Sequence, residues 1–162
     1  MRTQEEQKLL LAYHKRVIPQ TSLPGLAPPT EPDNRLDVSV VFTSIHATLS
    51  ALRKAAEMAN NLGARITLIV PQLVPYPLPL NSPPVLVDFS ERRFHVIASQ
   101  IPVETVVRIY LCRDVWDSLT NVLKPGSLVV VGSPKRWWRT KEKRLAAQLR
   151  KAGHEVIVTE GE

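Results

Sequence analysis

The feature that most constrains the fold is a short run at residues 128–131, in which every residue is apolar. A strand that is apolar at every position has both faces covered, which is typical of a parallel sheet between two layers of helices. The run ends at Gly132, and Ser133 and a basic, tryptophan-bearing segment follow it. In an α/β sheet, the loop after such a strand often binds phosphate. This segment is therefore the first candidate for a binding site.

Strand-like and helical segments alternate along most of the chain. Apolar, β-branched runs predict five strands, at 38–43, 65–70, 104–111, 128–131 and 155–159. Apolar residues at helical spacing predict helices at 48–62, 90–101 and 141–152, and a short helix capped by Asp114. Each helix can make a right-handed crossover, so a five-stranded parallel sheet with helices on both faces follows. The proline tract from Pro71 to Pro84 is expected to be a surface excursion, since proline has no N–H for a central sheet.

The first 36 residues are expected to form an arm outside the α/β domain. Residues 1–18 predict a helix, because Thr3 and Glu6 have capping-box spacing and apolar residues lie on one side. The proline-rich residues 19–36 predict an extended linker, and residues 37–162 form the domain. Because so short a helix is marginal alone, we expect it to pack on a neighbouring subunit.

Composition limits the protein class. No apolar run approaches the ~20 residues that span a bilayer, and the N-terminal residues lack a secretory pattern, so a cytoplasmic location is expected. The single cysteine, Cys112, cannot form an intrachain disulfide and is expected to be a buried, inert thiol.

The net charge of +6 is concentrated in one segment. Residues 135–151 carry eight basic residues and one acid, which leaves a net charge of −1 for the rest of the chain. Basic groups beside Trp137 and Trp138 fit a single-stranded nucleic acid site. Arginine and aromatic residues are also enriched in protein interfaces. The segment is therefore interpreted as an interface, an anion or nucleotide site, or a surface for nucleic acid or acidic membrane.

No catalytic or metal-binding motif is found in the sequence. The histidines lack metal-ligand spacing, and nucleophile-elbow, zinc-protease and Walker motifs are missing. Asp114 and Asp117 are interpreted as helix-capping groups rather than an acid–base pair. His46 follows the first predicted strand and could contact a ligand there. A receiver-type phosphorylation domain is disfavoured, since the acidic pair it needs after strand one is missing. The prediction is a protein that is not an enzyme and has no metal site.

Residues 37–160 resemble the universal stress protein family, within the adenine nucleotide α-hydrolase-like group. The resemblance rests on the five-strand alternation, on the Leu-Gly-Ala64 helix end and on Leu-Val-Val-Val-Gly-Ser133. The closing Ala-Gly-His-Glu-Val-Ile-Val-Thr159 also matches the family's terminal strand. The resemblance implies a Rossmann-like three-layer sandwich with strand order 3-2-1-4-5, a role in the stress response and dimerisation along the fifth strand.

The ATP-binding motif of that family is only partly kept. Members that bind ATP have a glycine after strand four, a second glycine three positions later and Gly-Ser or Gly-Thr ten positions after the first. Here these positions hold Gly132, Lys135 and Leu145 with Ala146. A Cβ at such a position obstructs the approach of backbone to phosphate. The family's acidic residue at the end of strand one is also replaced, by Phe42-Thr43-Ser44.

We therefore predict a non-catalytic, dimeric regulatory or interaction module with a degenerate site for ATP or another adenine nucleotide. Lysine and arginine side chains would replace the lost backbone cradle. The residues expected to line the site are Thr43, Ser44, Val70, Gly132, Ser133, Lys135, Arg136 and Arg139. The alternatives are an anion- or nucleic-acid-binding protein that uses residues 135–144, and an ATP-binding stress protein.

Overall fold

A computed structural model of the chain describes residues 8–17, 36–135 and 140–161, and these form an α/β fold. The strands are β1 Leu9–Val17, β2 Asp37–Val41, β3 Arg65–Leu73, β4 Thr105–Cys112, β5 Leu128–Pro134 and β6 Glu155–Gly161. The helices are α1 Ile45–Leu62, α2 Val87–Ser99, α3 Val115–Val122 and α4 Lys141–Lys151. The predicted α/β class is confirmed. None of the helices in the described ranges is long and apolar enough to cross a membrane.

The strands form one sheet in the order β1-β4-β3-β2-β5-β6. Strands β2 to β6 are parallel to one another, and β1 is antiparallel to β4. The sheet therefore differs from the predicted five strands by an added sixth strand beyond β4. The chain runs outward from β2 to β3 and β4, and then returns to β5 and β6. Sheets of this kind bind ligands where the direction reverses, which here is between the carboxyl ends of β2 and β5.

The prediction of an N-terminal helix is wrong for residues 9–17, which form β1. A bulge between Leu11 and Tyr13 resets the alternation of the strand. Leu10, Tyr13 and Val17 consequently pack into the cores on the same side of the sheet, with a spacing that imitates one face of a helix. Pairing with β4 of the same chain outweighs the marginal helix propensity of so short a segment. Residues 1–7 of the predicted helix and residues 18–35 of the linker lie outside the described residues.

Apolar cores on both faces of the sheet hold the three layers together. Helices α1 and α2 cover one face of the sheet, where Leu52 and Phe94 pack against β-strand residues such as Val40. Helices α3 and α4 cover the other face, where Leu119 and Leu149 are fully buried. Most of the periodic apolar residues that predicted these helices face the sheet, whereas Leu62, at the end of α1, is 52% exposed.

The surface excursion begins later than predicted, because β3 continues through Pro71 to Leu73. The N–H of Ile66 donates to the β4 side, and the N–H of Arg65 donates to the β2 side. By alternation, the nitrogen of Pro71 faces the β2 side, but β2 has already ended at Val41. The proline therefore removes no hydrogen bond from the sheet.

The helix starts were predicted with mixed success. The side chain of Asp114 accepts a hydrogen bond from the Asp117 N–H at 2.9 Å, so the predicted cap of α3 is confirmed. Helix α2 begins at Val87 rather than at Ser90. The hydroxyl of Ser90 is buried and donates to Gln72 Oε1 at 3.1 Å instead of capping the helix.

Candidate functional site

The polar groups that follow β2 and β5 are joined to one another at the carboxyl edge of the sheet. The hydroxyl of Thr43 donates to the Gly132 carbonyl at 2.9 Å, which ties the two strand ends together. The N–H of Thr43 donates to Thr48 Oγ1, in the first turn of α1, at 3.1 Å. Thr43 therefore fixes the start of α1 against both strands.

Gly132 lets α1 approach β5 closely. A Cβ built on Gly132 would overlap the carbonyl oxygen and carbon of Ala47, and it would lie 3.1 Å from the Ala47 Cα. These are backbone atoms of a helix, which cannot turn aside as a flexible side chain can. The space above the glycine is thus occupied by the protein's own helix.

Ser133 is engaged on the opposite face of the sheet. Its side chain is fully buried, and its hydroxyl lies 3.1 Å from Thr140 Oγ1. Thr140 is the N-cap of α4 and accepts a hydrogen bond from the Lys143 N–H at 3.3 Å. The serine therefore connects the end of β5 to the cap of α4.

The remaining predicted site residues are distributed differently. Ser44 is exposed just before α1, and its hydroxyl does not cap the helix. Lys135 is exposed beyond the end of β5. Val70 is only 3% exposed and belongs to the core beneath α1 and α2. Arg136 and Arg139, with the two tryptophans between them, lie outside the described residues.

A groove beside this edge was largely missed by sequence reasoning. It has a volume of about 460 Å³, and its lining residues are His46, Leu49, Ser50, Arg53 and Glu160. The first four share one side of α1, since they recur at helical spacing. Only His46 was singled out from the sequence as a possible ligand contact. The groove depends on β6 lying beside α1, a long-range pairing that no local pattern reveals.

The start of α4 concentrates positive charge. Lys141, Lys143 and Arg144 stand in its first four residues, accompanied by one acid, Glu142. A helix N-terminus is itself electropositive, so each cation there costs about 0.3–1 kcal/mol at low ionic strength. Lys143 reaches Glu160 of β6 at 3.8 Å. Lys141 and Arg144 are exposed.

Within the described ranges, no group of three or more histidine, cysteine, aspartate or glutamate side chains is placed to hold a metal ion. His154 has a structural role, since its Nδ1 accepts a hydrogen bond from the Ser127 N–H at 3.2 Å. Burial raises the pKa of the Cys112 thiol, which is fully buried and donates to the Gln72 carbonyl at 3.7 Å. A scan against models of known protein families and a search of curated proteins both found no match.

Proposed function

We propose that the chain is a non-catalytic regulatory or interaction module similar to universal stress proteins, with a modified ligand site at the carboxyl edge of its sheet. The observation that carries this proposal is the packing of Gly132 against Ala47. In a phosphate-binding loop, a glycine gives phosphate access to the backbone. Here that access is taken by α1, so the first glycine of the motif supports packing.

The hydroxyl groups at the same edge support the non-catalytic part of the proposal. Thr43 joins β2 to β5, and Ser133 is buried against the cap of α4. A nucleophilic hydroxyl needs a neighbouring general base and access to substrate. Both hydroxyls instead have structural partners. An adenine nucleotide at this edge would be held by cationic side chains such as Lys135, as point charges on its phosphates.

The proposal includes a homodimer formed along β6. This strand ends the sheet order, and an edge strand presents N–H and C=O groups that can pair with another strand. The resemblance to universal stress proteins favours the same edge. A dimer of this kind would bring two copies of the groove beside α1 close to the interface.

A thermal-shift series with ATP, ADP, AMP and cyclic dinucleotides tests the ligand part of the proposal. A nucleotide at 100 times its dissociation constant should stabilise the protein by about 2.7 kcal/mol. Lys135→Gln should reduce that response, and Lys124→Gln, an exposed lysine near the other end of β5, should retain it. Nucleotide turnover by the purified protein would contradict the non-catalytic assignment.

A second candidate function is anion or nucleic acid binding through residues 135–144. It is favoured by the cations in the first turn of α4, where they oppose the helix dipole and so do not serve the stability of the helix. Single-stranded oligonucleotide binding at increasing salt tests this candidate. Each phosphate contact should contribute about −0.7 to the slope of log K against log salt.

The matched variants for this test are two double substitutions. Lys141→Gln with Arg144→Gln should weaken binding and reduce the salt slope by about 1.4, if both side chains contact phosphates. Arg92→Gln with Arg93→Gln removes the same charge from the exposed side of α2 and should leave the slope unchanged. Equal effects of the two pairs would assign the binding to net charge alone.

A further inference from the structure

A second cationic cluster lies on the sheet itself, away from the carboxyl edge. His14 of β1 and Arg108 of β4 stand directly opposite each other in the antiparallel register. The preceding pair, Tyr13 and Ile109, faces the core beneath α1 and α2. Because side chains alternate along a strand, His14 and Arg108 point to the other face. Helix α2, which packs against β1, is on the Tyr13 side.

Two acidic residues on this face, Glu104 and Asp37, already have cationic partners. Arg16 forms an ion pair with Glu104, and its Nη2 donates to Glu104 Oε2 at 3.3 Å. Asp37 lies 3.8 Å from the Arg65 Nε and accepts the Thr67 hydroxyl at 2.8 Å. Each of these two carboxylates therefore has an arginine partner.

Arg108 has no such match. It makes no ion pair or hydrogen bond with the residues that the structure describes, it is half-buried, and its Nε is shielded from solvent. A partly desolvated charge without a partner is costly in free energy. A guanidinium in this state is suited to bind an anion that supplies the missing charge in a bidentate geometry.

The pKa of His14 responds to the positive charge of Arg108. Partial burial lowers the pKa of His14 from its ordinary value of 6.5, and the charges of Arg108 and Arg65 lower the pKa further. The His14 imidazole is therefore within electrostatic reach of both guanidinium groups. The imidazole is exposed, so the cluster is open to a ligand from solvent.

We propose that Arg108 and His14 bind a phosphate group on this face of the sheet. Arg108 would donate two hydrogen bonds to phosphate oxygens, and protonated His14 would donate a third. A small oxyanion suits this pair better than an extended polyanion does, because the two donor side chains stand directly opposite each other on neighbouring strands.

The test is a titration of the full chain with inorganic phosphate, and separately with glycerol phosphate, followed by NMR of the His14 imidazole. Chloride at the same ionic strength is the reference. Phosphate should change the chemical shifts of the His14 imidazole in a saturable way. It should also raise the pKa of His14, because a bound anion stabilises the imidazolium. Binding of both probes would assign recognition to a phosphoryl group, and binding of inorganic phosphate alone would assign it to the free ion. An identical response to chloride would overturn the proposal.

Variants locate the binding. Arg108→Gln should lower the affinity for phosphate at least about tenfold. Arg93→Gln removes an exposed arginine of α2 and should leave the affinity unchanged. If Arg108→Gln does not fold, His14→Gln, which alters an exposed side chain, should still lower the affinity for phosphate severalfold. A folded Arg108→Gln or His14→Gln protein with wild-type affinity would overturn the proposal.

Discussion

At the carboxyl edge of the sheet, residues in the position of a phosphate-binding loop have structural roles. Gly132 and Ser133 stand where a phosphate-binding loop would start, yet one packs against α1 and the other holds the cap of α4. Glycine serves either purpose, since its missing Cβ allows a helix to approach as readily as a ligand. The identity of a residue therefore predicts the close approach but not what approaches.

Substitution of Gly132 tests this assignment. Gly132→Ala should lower the free energy of unfolding by about 1–3 kcal/mol or more, because the added Cβ must displace the backbone of Ala47. Denaturant unfolding measures the change. Ser44→Ala, at an exposed residue whose hydroxyl makes no cap, should change stability by less than about 0.5 kcal/mol. Equal stability of Gly132→Ala and wild type would show that α1 can move away from β5.

Protonation of His14 should couple stability to pH. The pKa of His14 is lower in the folded protein than its ordinary value of 6.5, so the unfolded chain binds the proton more readily. The contribution of His14 to stability is therefore complete above about pH 6.5 and is lost as the pH falls through the folded pKa. His14→Gln should show a smaller loss of melting temperature between about pH 7.5 and pH 5 than wild type. The same pH dependence in both proteins would contradict this prediction.

Among the elements, β1 is the strand that the sequence did not predict. It pairs with β4 along its whole length and covers an edge that would otherwise be open. Tyr13 contributes to the same core as α2, and burial raises the pKa of its hydroxyl, with a further increase from Glu91. The strand is therefore part of the domain rather than an arm beyond it.

Deletion of residues 1–17 tests the contribution of β1. The shortened chain should melt at a lower temperature and self-associate, because it loses the buried side chain of Val17 and exposes the edge of β4. Deletion of residues 1–7 is the control, since it removes none of the β1–β4 pairs. Light scattering and thermal melting measure both effects. A monomeric product with wild-type stability would contradict the prediction.

Features that depend on a local sequence pattern could be predicted, whereas features that depend on contacts between distant residues could not. The four helices and the strands β2 to β6 were predictable because their apolar residues repeat at the period of the element that they form. Strand β1 was not, because its bulge imitated helical spacing and its pairing partner is distant in sequence. Of the candidate site, the positions of Thr43, Gly132 and Ser133 were predictable from the strand ends. Their partners, Ala47 and Thr140, required the packing of helices on the sheet.

At the scale of the whole molecule, the sheet offers one parallel edge for assembly. The N–H of Glu155 donates to the Ser127 carbonyl of the loop before β5. By alternation, the backbone groups of Val156, Val158 and Glu160 point away from β5. These are the groups that a second copy would use in the proposed dimer.

Proline at one of these outward positions separates dimerisation from folding. Val158→Pro should remove an N–H that β5 does not use, and so it should weaken the proposed dimer while the domain stays folded. Val158→Ala, which keeps the N–H, should remain dimeric. Sedimentation gives the mass, and circular dichroism confirms the fold. A folded Val158→Pro protein with unchanged mass would rule out assembly through β6.

The position of β1 in the chain has a consequence for how the protein is made. Arg16 and Glu104, which join β1 to the start of β4, are 88 residues apart in sequence. At about 5–20 residues per second, a ribosome needs roughly 4–18 s to travel between them. During this interval the run Leu9-Leu10-Leu11 has been synthesised but has no strand to pair with. Pairings of such long range close slowly, so β1 should be among the last strands to join the sheet. Until β4 has been synthesised, the nascent chain therefore carries an apolar strand without its partner, and protection by a chaperone would have its greatest effect on β1.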